Sequence, residues 1–404
     1  MKAELPEPVN RALLLLNQAG FEAHVVGGCV RDLLMNKTPK DYDLTTSAHP
    51  EAIQRVFQGF PMTLDGLKHG TVRVILNHEP LEITTFRVDC GYSDGRHPDA
   101  VRFTPSLTED LLRRDFTINA MAYAPSSGLS DPFDGRRDIQ NRLIRCVGDP
   151  ERRFAEDALR ILRGLRFASV LDFEIHPDTL RAMERLSPSL NAISAERVEG
   201  ELMKLLNGPA ACRALKMGRS ALFVRLPELD DAGYDARAEA LTRLPHEPAL
   251  RLAMLLSHLS QPTLEHVLNR LKCSRLLSQR TLHALDALQK IPFPPQDAAL
   301  RLFIRENGYE AAFDALNLKL GLTRDAAYAR ALETLERLSA EGACLSLKNL
   351  NIDGRALLRA GMTPGPQVGR VLNELLNQVV RGELPNQHGQ LLAAAQVLCK
   401  KMGC

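Results

Sequence analysis

No two cysteines stand at C-x-x-C spacing anywhere in the chain, and none of the eight joins a histidine cluster at zinc-ligand spacing. Zinc ribbons and thioredoxin-type redox motifs are thereby excluded. Reduced, mostly buried thiols remain, with Cys399 and Cys404 near the C-terminal end the two open to exposure. Long apolar runs are missing as well. No stretch reaches the roughly 18 consecutive apolar residues of a membrane span. The opening MKAELPEPVNRALLLLNQAGFE holds only the short run Ala12–Leu16, inside an amphipathic pattern that ends at Gly20, and does not read as a signal peptide. A soluble cytoplasmic protein with no membrane partner is the expectation. A dominant charge is absent too: 51 Lys and Arg face 49 Asp and Glu, a formal net charge of +2. No global field announces nucleic acid, although a mean charge leaves room for a local basic surface. Fixed-period repeats and low-complexity segments are also lacking.

What is present divides into two textures. The 404 residues suggest two to four domains. Up to about Ile144 the pattern is mixed α/β. HVVGG, DYDLTT, TVRVIL and LEITTFRV read as short β-branched strands, with helix-like pieces such as HPEAIQRVFQ between them. After Asp149 nearly everything has helical periodicity, from ERRFAEDALRILRGLRFASVL to QVGRVLNELLNQVVRGELP, with Gly and Pro punctuating the joints at Gly208-Pro209, Pro292–Pro295 and Pro364–Pro366. The predicted fold is α+β: an N-terminal α/β head with a small mixed sheet, then an elongated all-helical remainder. Such a remainder either presents a surface to something large or packs only on itself.

Four polar groupings stand out. Gly27-Gly28 follows the strand HVV and precedes a helix start, with Arg31 one turn in. The pattern suits an anion site and equally suits a plain strand-to-helix turn. Asp41 and Asp43, two apart in a predicted strand, point to one side and converge. Paired carboxylates repel unless a cation sits between them, and Mg²⁺ takes one or two carboxylates plus substrate phosphates; a solvated turn capped by Asp43 is the alternative. In EDLLRRDFTINAMAY, Arg113-Arg114-Asp115 precedes an apolar face, and Asp115 and Asn119 would share one side of a helix. In RFAEDALRILRGLRFA, Asp157, Arg160, Arg163 and Arg166 recur every three residues. Asp157 and Arg160 would be neighbours on one helix face while Arg163 and Arg166 swing away; an exposed i,i+3 salt bridge is the commoner meaning of this spacing.

Taken in order, GGCVRD…KDYDL, LRRDFTINAMAY, DPFDGRRDI and EDALRILRGLRFA resemble the successive motifs of the class II nucleotidyltransferases, which comprise CCA-adding tRNA nucleotidyltransferases and bacterial poly(A) polymerases. The resemblance is dense over residues 24–170 and returns at NIDGRALLRAGMTPGPQVGRVLNELLNQVVRGELPN, which is similar to the tail of the CCA-adding enzymes. EDALR and FTINAMAY resemble the CCA-adding versions rather than the poly(A) polymerase ones. RVDCGYSDGRHPDAV resembles the flexible loop of enzymes that add the terminal A. In RLAMLLSHLSQP, where some members carry a His-Asp phosphohydrolase module, His258 is not followed by Asp, so no metal site is read there.

The resemblance implies a head over 1–145, a neck with a base-recognition helix over 146–206, a helical body over 207–330 and a tRNA-binding helical tail over 331–404. It implies template-independent transfer of C, C and A from CTP and ATP to the 3′ end of tRNA, with release of pyrophosphate. Asp41 and Asp43 would be catalytic and hold Mg²⁺, with Glu82 either a third carboxylate or a supporting group. Gly28 and Arg31 would lie against the triphosphate, and Arg114, Asp157, Arg160, Arg163 and Arg166 would complete the nucleotide pocket. A carboxylate beside a guanidinium complements the amino donor and ring-nitrogen acceptor shared by cytosine and adenine, and mismatches uracil and guanine. A poly(A) or A-only polymerase, a non-catalytic RNA-binding relative and a small-molecule nucleotidyltransferase are the rival readings. Monomer and homodimer both stay open.

Overall fold

The computed structural model describes residues 3–91 and 100–402. The contacts divide the chain into two compact units, Met1–Asp230 and Asp231–Cys404.

The first unit opens on helix α1 (Glu7–Gln18), whose buried Val9, Ala12, Leu13 and Leu16 form one apolar stripe at helical spacing. Strand β1 (Ala23–Val26) is buried along its whole length and leads into the short helix α2 (Gly28–Leu34). Strand β2 (Asp43–Thr46), helix α3 (Pro50–Val56) and strands β3 (Met62–Thr63), β4 (Thr71–Leu76) and β5 (Glu79–Thr85) follow. Strands β6 (Arg87–Cys90) and β7 (Ala100–Phe103) form a separate antiparallel hairpin. Helix α4 (Leu107–Leu112) precedes strands β8 (Ala122–Ala124) and β9 (Gly128–Ser130), and helix α5 (Gly135–Gln140) follows them. The seven-stranded sheet runs β3-β4-β5-β2-β1-β8-β9. It is mixed: β2 pairs parallel to β5 and antiparallel to β1. The expected small mixed sheet is therefore present. The register sets Asp43 beside Val26 on one neighbour and Glu82 on the other.

Two local expectations change. INAMAY was expected on an apolar helix face. Instead a 3₁₀ turn over Thr117–Asn119 gives way to β8, which pairs with β1. A short apolar run carries no period of its own, and the free edge of β1 decides it. The helix expected from Glu151 onward is also two helices, α6 (Pro150–Glu156) and α7 (Leu159–Leu171), broken at Asp157. Helices α8 (Pro177–Leu186) and α9 (Ala195–Leu206) then pack around α7 and α6.

The second unit contains only helices among its described residues, from Tyr234–Ala240 to His388–Met402. Its buried apolar residues include two clusters among the described residues. One gathers Leu300, Phe303, Leu316, Tyr328 and Leu335, and the other Leu350, Leu357, Val371, Leu375 and Leu391. Among the described residues no helix is long and apolar enough to cross a membrane.

Gly164 lets α7 lie close against its neighbours. A Cβ there would stand 2.2 Å from Met183 Cε and 2.9 Å from Phe116 Cζ. At Gly200, in the middle of α9, a Cβ would meet nothing within 4 Å. Gly164→Ala is accordingly expected to cost about 1–3 kcal/mol through overpacking, whereas Gly200→Ala should be neutral or stabilising by up to ~1 kcal/mol. Urea denaturation of the two variants side by side checks both signs.

Candidate functional site

A cleft of about 560 Å³ opens in the first unit; the residues expected to hold metal and nucleotide line it, as do Gly27, Arg113, Asp115 and Asn119, whereas Glu82 is not among its lining residues. The turn after β1 contributes Gly28 and Arg31; Asp41 and Asp43 stand at the start of β2; Arg114 follows α4; Asp157, Arg160, Arg163 and Arg166 come from the α6–α7 junction and α7.

The strand on the acidic side begins two residues later than expected. β2 starts at Asp43, so Asp41 lies in the loop just before it, and both carboxylates still face the cleft. The pKa of Asp43 is raised, first because the surrounding protein strips hydration from its carboxylate, although its outer side stays open to solvent. The charges of Asp41 and Glu82 act in the same direction, and Arg114 partly opposes them. Glu82 is itself engaged by Arg73, Oε1 to Nη2 at 2.5 Å, at a half-exposed position. Among the described residues no group of three or more His, Cys, Asp and Glu side chains is placed to hold a metal ion. Two oxygen donors on an open wall, crowded by like charge, fit a hard divalent cation whose remaining positions are filled by water and substrate phosphate.

The basic side is held from behind. Fully buried Asp110 receives Arg113 Nε and Nη2 at 3.0 and 2.8 Å, Arg114 Nη2 at 3.4 Å and the Thr45 hydroxyl at 3.2 Å. Burial alone would raise its pKa, but Arg113 and Arg114 outweigh burial and the net shift is downward. Arg114 in turn occupies the space that a side chain at position 27 would take: a Gly27 Cβ would lie 3.0 Å from Arg114 Nη1, and Gly27 has φ +82°. Gly27 therefore gives clearance for a cation. The seven-residue α2 behind it is too short for a substantial helix dipole.

A second chain of bonds runs along the floor. Arg31 Nη1 donates to Asn119 Oδ1 at 2.8 Å, Asn119 Nδ2 donates to Asp115 Oδ1 at 3.2 Å, and Asp115 Oδ2 receives Arg163 Nε and Nη2 at 2.9 and 2.5 Å. Asp115 and Asn119 meet as the sequence suggested, though across a 3₁₀ turn rather than along an α-helix. Arg166 Nε lies 3.0 Å from Glu201 Oε2 as an ion pair without hydrogen-bond alignment. Phe167, which also lines the cleft, has Arg31, Arg163 and Arg166 over its ring.

The expected Asp157–Arg160 helix-face pair is replaced. Asp157 adopts an extended conformation (φ −147°, ψ 103°), its Oδ1 accepting the Leu159 N–H at 3.0 Å, so it separates α6 from α7. Aspartate competes with the helix for backbone N–H groups. Its Oδ2 receives Arg197 Nη2 from α9 at 2.8 Å. Arg160 is held by Glu156 Oε2 at 2.7 Å and by the carbonyls of Arg153 and Arg113 at 3.0 and 3.1 Å. Arg197 and Phe167 escaped sequence reading. SAERVEGELMKLLNG shows only helical texture, and nothing local ties Arg197 to a residue 40 positions earlier. The loop resembling that of A-adding enzymes falls largely on residues 92–99, outside the described residues.

The chain matches the family model "Poly A polymerase head domain" over residues 23–145, an RNA- and SrmB-binding model of polymerase A over 172–232, and a tRNA nucleotidyltransferase domain 2 model over 246–395. The CCA-adding enzyme of Limosilactobacillus fermentum is 37% identical over 402 residues, covering 98% of this chain and 97% of that protein. The chain belongs to the CCA-adding enzyme family. The CCA-adding enzyme of Levilactobacillus brevis is 38% identical, covering 97% of both chains. A solved structure of the Bacillus stearothermophilus CCA-adding enzyme in complex with CTP superposes with a TM-score of 0.80 at 32% identity, covering 99% of this chain and all of that one. As a member of this family the chain is a tRNA nucleotidyltransferase.

Asp115 gives the site a measurable acid dependence. Burial would raise its pKa, but Arg163 first, and then hydrogen bonds and Arg160, bring it down to about 2 from an ordinary 3.8. A folded-state pKa below the unfolded one stabilises the fold fully above about pH 4, and the contribution is lost as pH falls toward 2. The size is about 2 kcal/mol. In Asp115→Asn the stability difference from the parent should therefore shrink between pH 5 and pH 2, on top of a constant loss from leaving Arg163 unpaired. Urea midpoints measured across that range provide the check.

Proposed function

We propose that this chain adds C, C and A to the 3′ end of tRNA, using CTP and ATP and releasing pyrophosphate at each step. The observation that carries the reading is the single cleft in which an open carboxylate pair faces a wall of tethered arginines, in a chain related along its whole length to CCA-adding enzymes. The relative crystallised with CTP supports the nucleotide class.

In this reading Asp41 and Asp43 hold Mg²⁺, the oxygen-seeking cation that keeps places for substrate phosphate. When bound it supplies activation of the primer 3′-hydroxyl and neutralisation of the leaving pyrophosphate. The chain's own side chains do the rest. Arg31, Arg163 and Arg166, with Arg114 behind the glycine turn, take the charge of the triphosphate and set the α-phosphorus in line with the attacking oxygen. Gly28 leaves room for the phosphates. Asp157 accepts a hydrogen bond from the exocyclic amino group of cytosine or adenine, and Arg160 donates to the adjacent ring nitrogen. Uracil and guanine would set a carbonyl against Asp157 and an N–H against Arg160, leaving buried polar groups unpaired. Arg197, Glu156 and two backbone carbonyls hold this pair, so the protein edge itself serves as template.

We further propose the division into head (1–145), neck (146–206), body (207–330) and tRNA-binding tail (331–404). The cluster of the second unit around Leu375, built mostly from residues after Cys344, supports a tail distinct from a body, although Leu335 and Leu338 of the proposed tail pack into the cluster around Leu316. His258 Nε2 lies 3.3 Å from Asp231, which also receives Arg237. That arrangement supports a structural role for His258.

The test is to incubate the protein with tRNA lacking its terminal nucleotides, CTP and ATP, and to sequence the product. A single CCA end is expected; A alone, or a run of A, would refute the reading. Asp41→Ala or Asp43→Ala should leave a folded protein with transfer reduced by at least ~10²-fold, equivalent to several kcal/mol of transition-state stabilisation. Near-parental rates at saturating Mg²⁺ would remove these residues from the metal site. Asp157→Asn keeps a side-chain oxygen for the Leu159 cap while adding a donor. Its misincorporation of UTP and GTP relative to CTP and ATP is expected to rise more than its total turnover falls. Unchanged discrimination would remove Asp157 from base reading.

A further inference from the structure

Three of the cleft's arginines share one neighbour that carries no charge. The Phe167 ring has the guanidinium carbon of Arg166 4.1 Å from its centroid, that of Arg31 at 5.4 Å and that of Arg163 at 5.6 Å. Each cation also has an acidic partner of its own: Asp32 for Arg31, Asp115 for Arg163 and Glu201 for Arg166. Those partners sit on α2, in the segment after α4, and on α9, so they fix each arginine to a different part of the unit. Phe167 is the contact the three have in common. It is 7% exposed and lines the cleft. Its orientation is set by the fully buried Phe116, whose ring meets it edge-on at 5.8 Å and 81°.

We propose that Phe167 is a positioning residue for the nucleotide triphosphate. It acts through the arginines, and its ring holds the three guanidinium groups converged on one anion. Guanidinium groups brought together without a ligand repel one another. An aromatic ring attracts cations through its quadrupole and carries no charge that would compete with phosphate for them. A carboxylate in the same place would collect the arginines equally well but would neutralise them. An aliphatic side chain would fill the space without attracting them, leaving each arginine to its own carboxylate. The inference rests on the cleft being the triphosphate site of the proposed function, and it extends that reading to a residue that touches no reacting atom.

The experiment compares Phe167→Leu, which removes the ring, with Phe167→Tyr, which keeps it. Nucleotide kinetics and binding of inorganic tripolyphosphate to the full chain are both measured. For Phe167→Leu, KM for CTP and for ATP and Kd for tripolyphosphate are each expected to rise about tenfold, the loss of two or three cation–ring contacts. The preference for CTP over UTP should stay unchanged, because Asp157 and Arg160 are not touched. Phe167→Tyr should remain within about twofold of the parent on all three measures. A Leu variant that binds tripolyphosphate like the parent overturns the proposal, as does a Tyr variant that loses as much as Leu while melting like the parent. If Phe167→Leu fails to fold, Phe167→Met, unbranched and ringless, takes its place in the same comparison with the same two outcomes. A parent that does not extend tRNA would overturn the proposed function, whereas the tripolyphosphate titration still decides the role of Phe167.

Discussion

Crowding of like charge governs the first unit. Arg31, Arg113, Arg114, Arg160, Arg163, Arg166 and Arg197 all face one cleft, and two unit charges 4 Å apart near a protein surface interact by roughly 4 kcal/mol. No fold tolerates this unless each guanidinium is tied back. Here the ties are mostly buried carboxylates on separate elements: Asp110 on α4, Asp115 after it, Glu156 on α6, Asp157 at the helix break and Glu201 on α9. Packing of α9 on α7 thus also delivers Glu201 behind Arg166, and packing of the 3₁₀ turn against α2 brings the neutral amide of Asn119 to Arg31.

The acids of the cleft sort into two kinds by the direction in which their surroundings push them. Asp110 and Asp115 are buried among arginines and held well down, so they stay ionised and structural. Asp43 is pushed up, by loss of hydration and by its acidic neighbours. An acid destabilised by its own surroundings awaits a positive partner, and under the proposed function a divalent cation bound with substrate would be that partner. This contrast separates the acids that build the site from those that work in it.

Much of this was legible because the informative residues are close in sequence. GGCVRD and KDYDL each carry their own geometry, and β-branched runs marked β1, β2, β4 and β5. Where reading failed, the deciding contact was remote or side-chain based. β8 formed because β1 offered an unpaired edge. The long helix broke because one carboxylate captured the Leu159 N–H, which periodicity does not register. Arg197 reaches Asp157 across 40 positions. Phe167 read as one more apolar residue of a helix face, because cations gathered over a ring leave no trace in spacing.

The division into two compact units bears on how the chain loses its structure. All-or-none unfolding is the rule for small single domains, whereas this chain has 404 residues in two units, the second holding clusters around Leu316 and around Leu375. Calorimetry should then resolve several overlapping endotherms, each with its own enthalpy, instead of one all-or-none transition. A ligand bound in the cleft would move the endotherm of the first unit by mass action. For this chain a lone melting temperature is a composite, and thermal shift becomes informative once its components are assigned to their units.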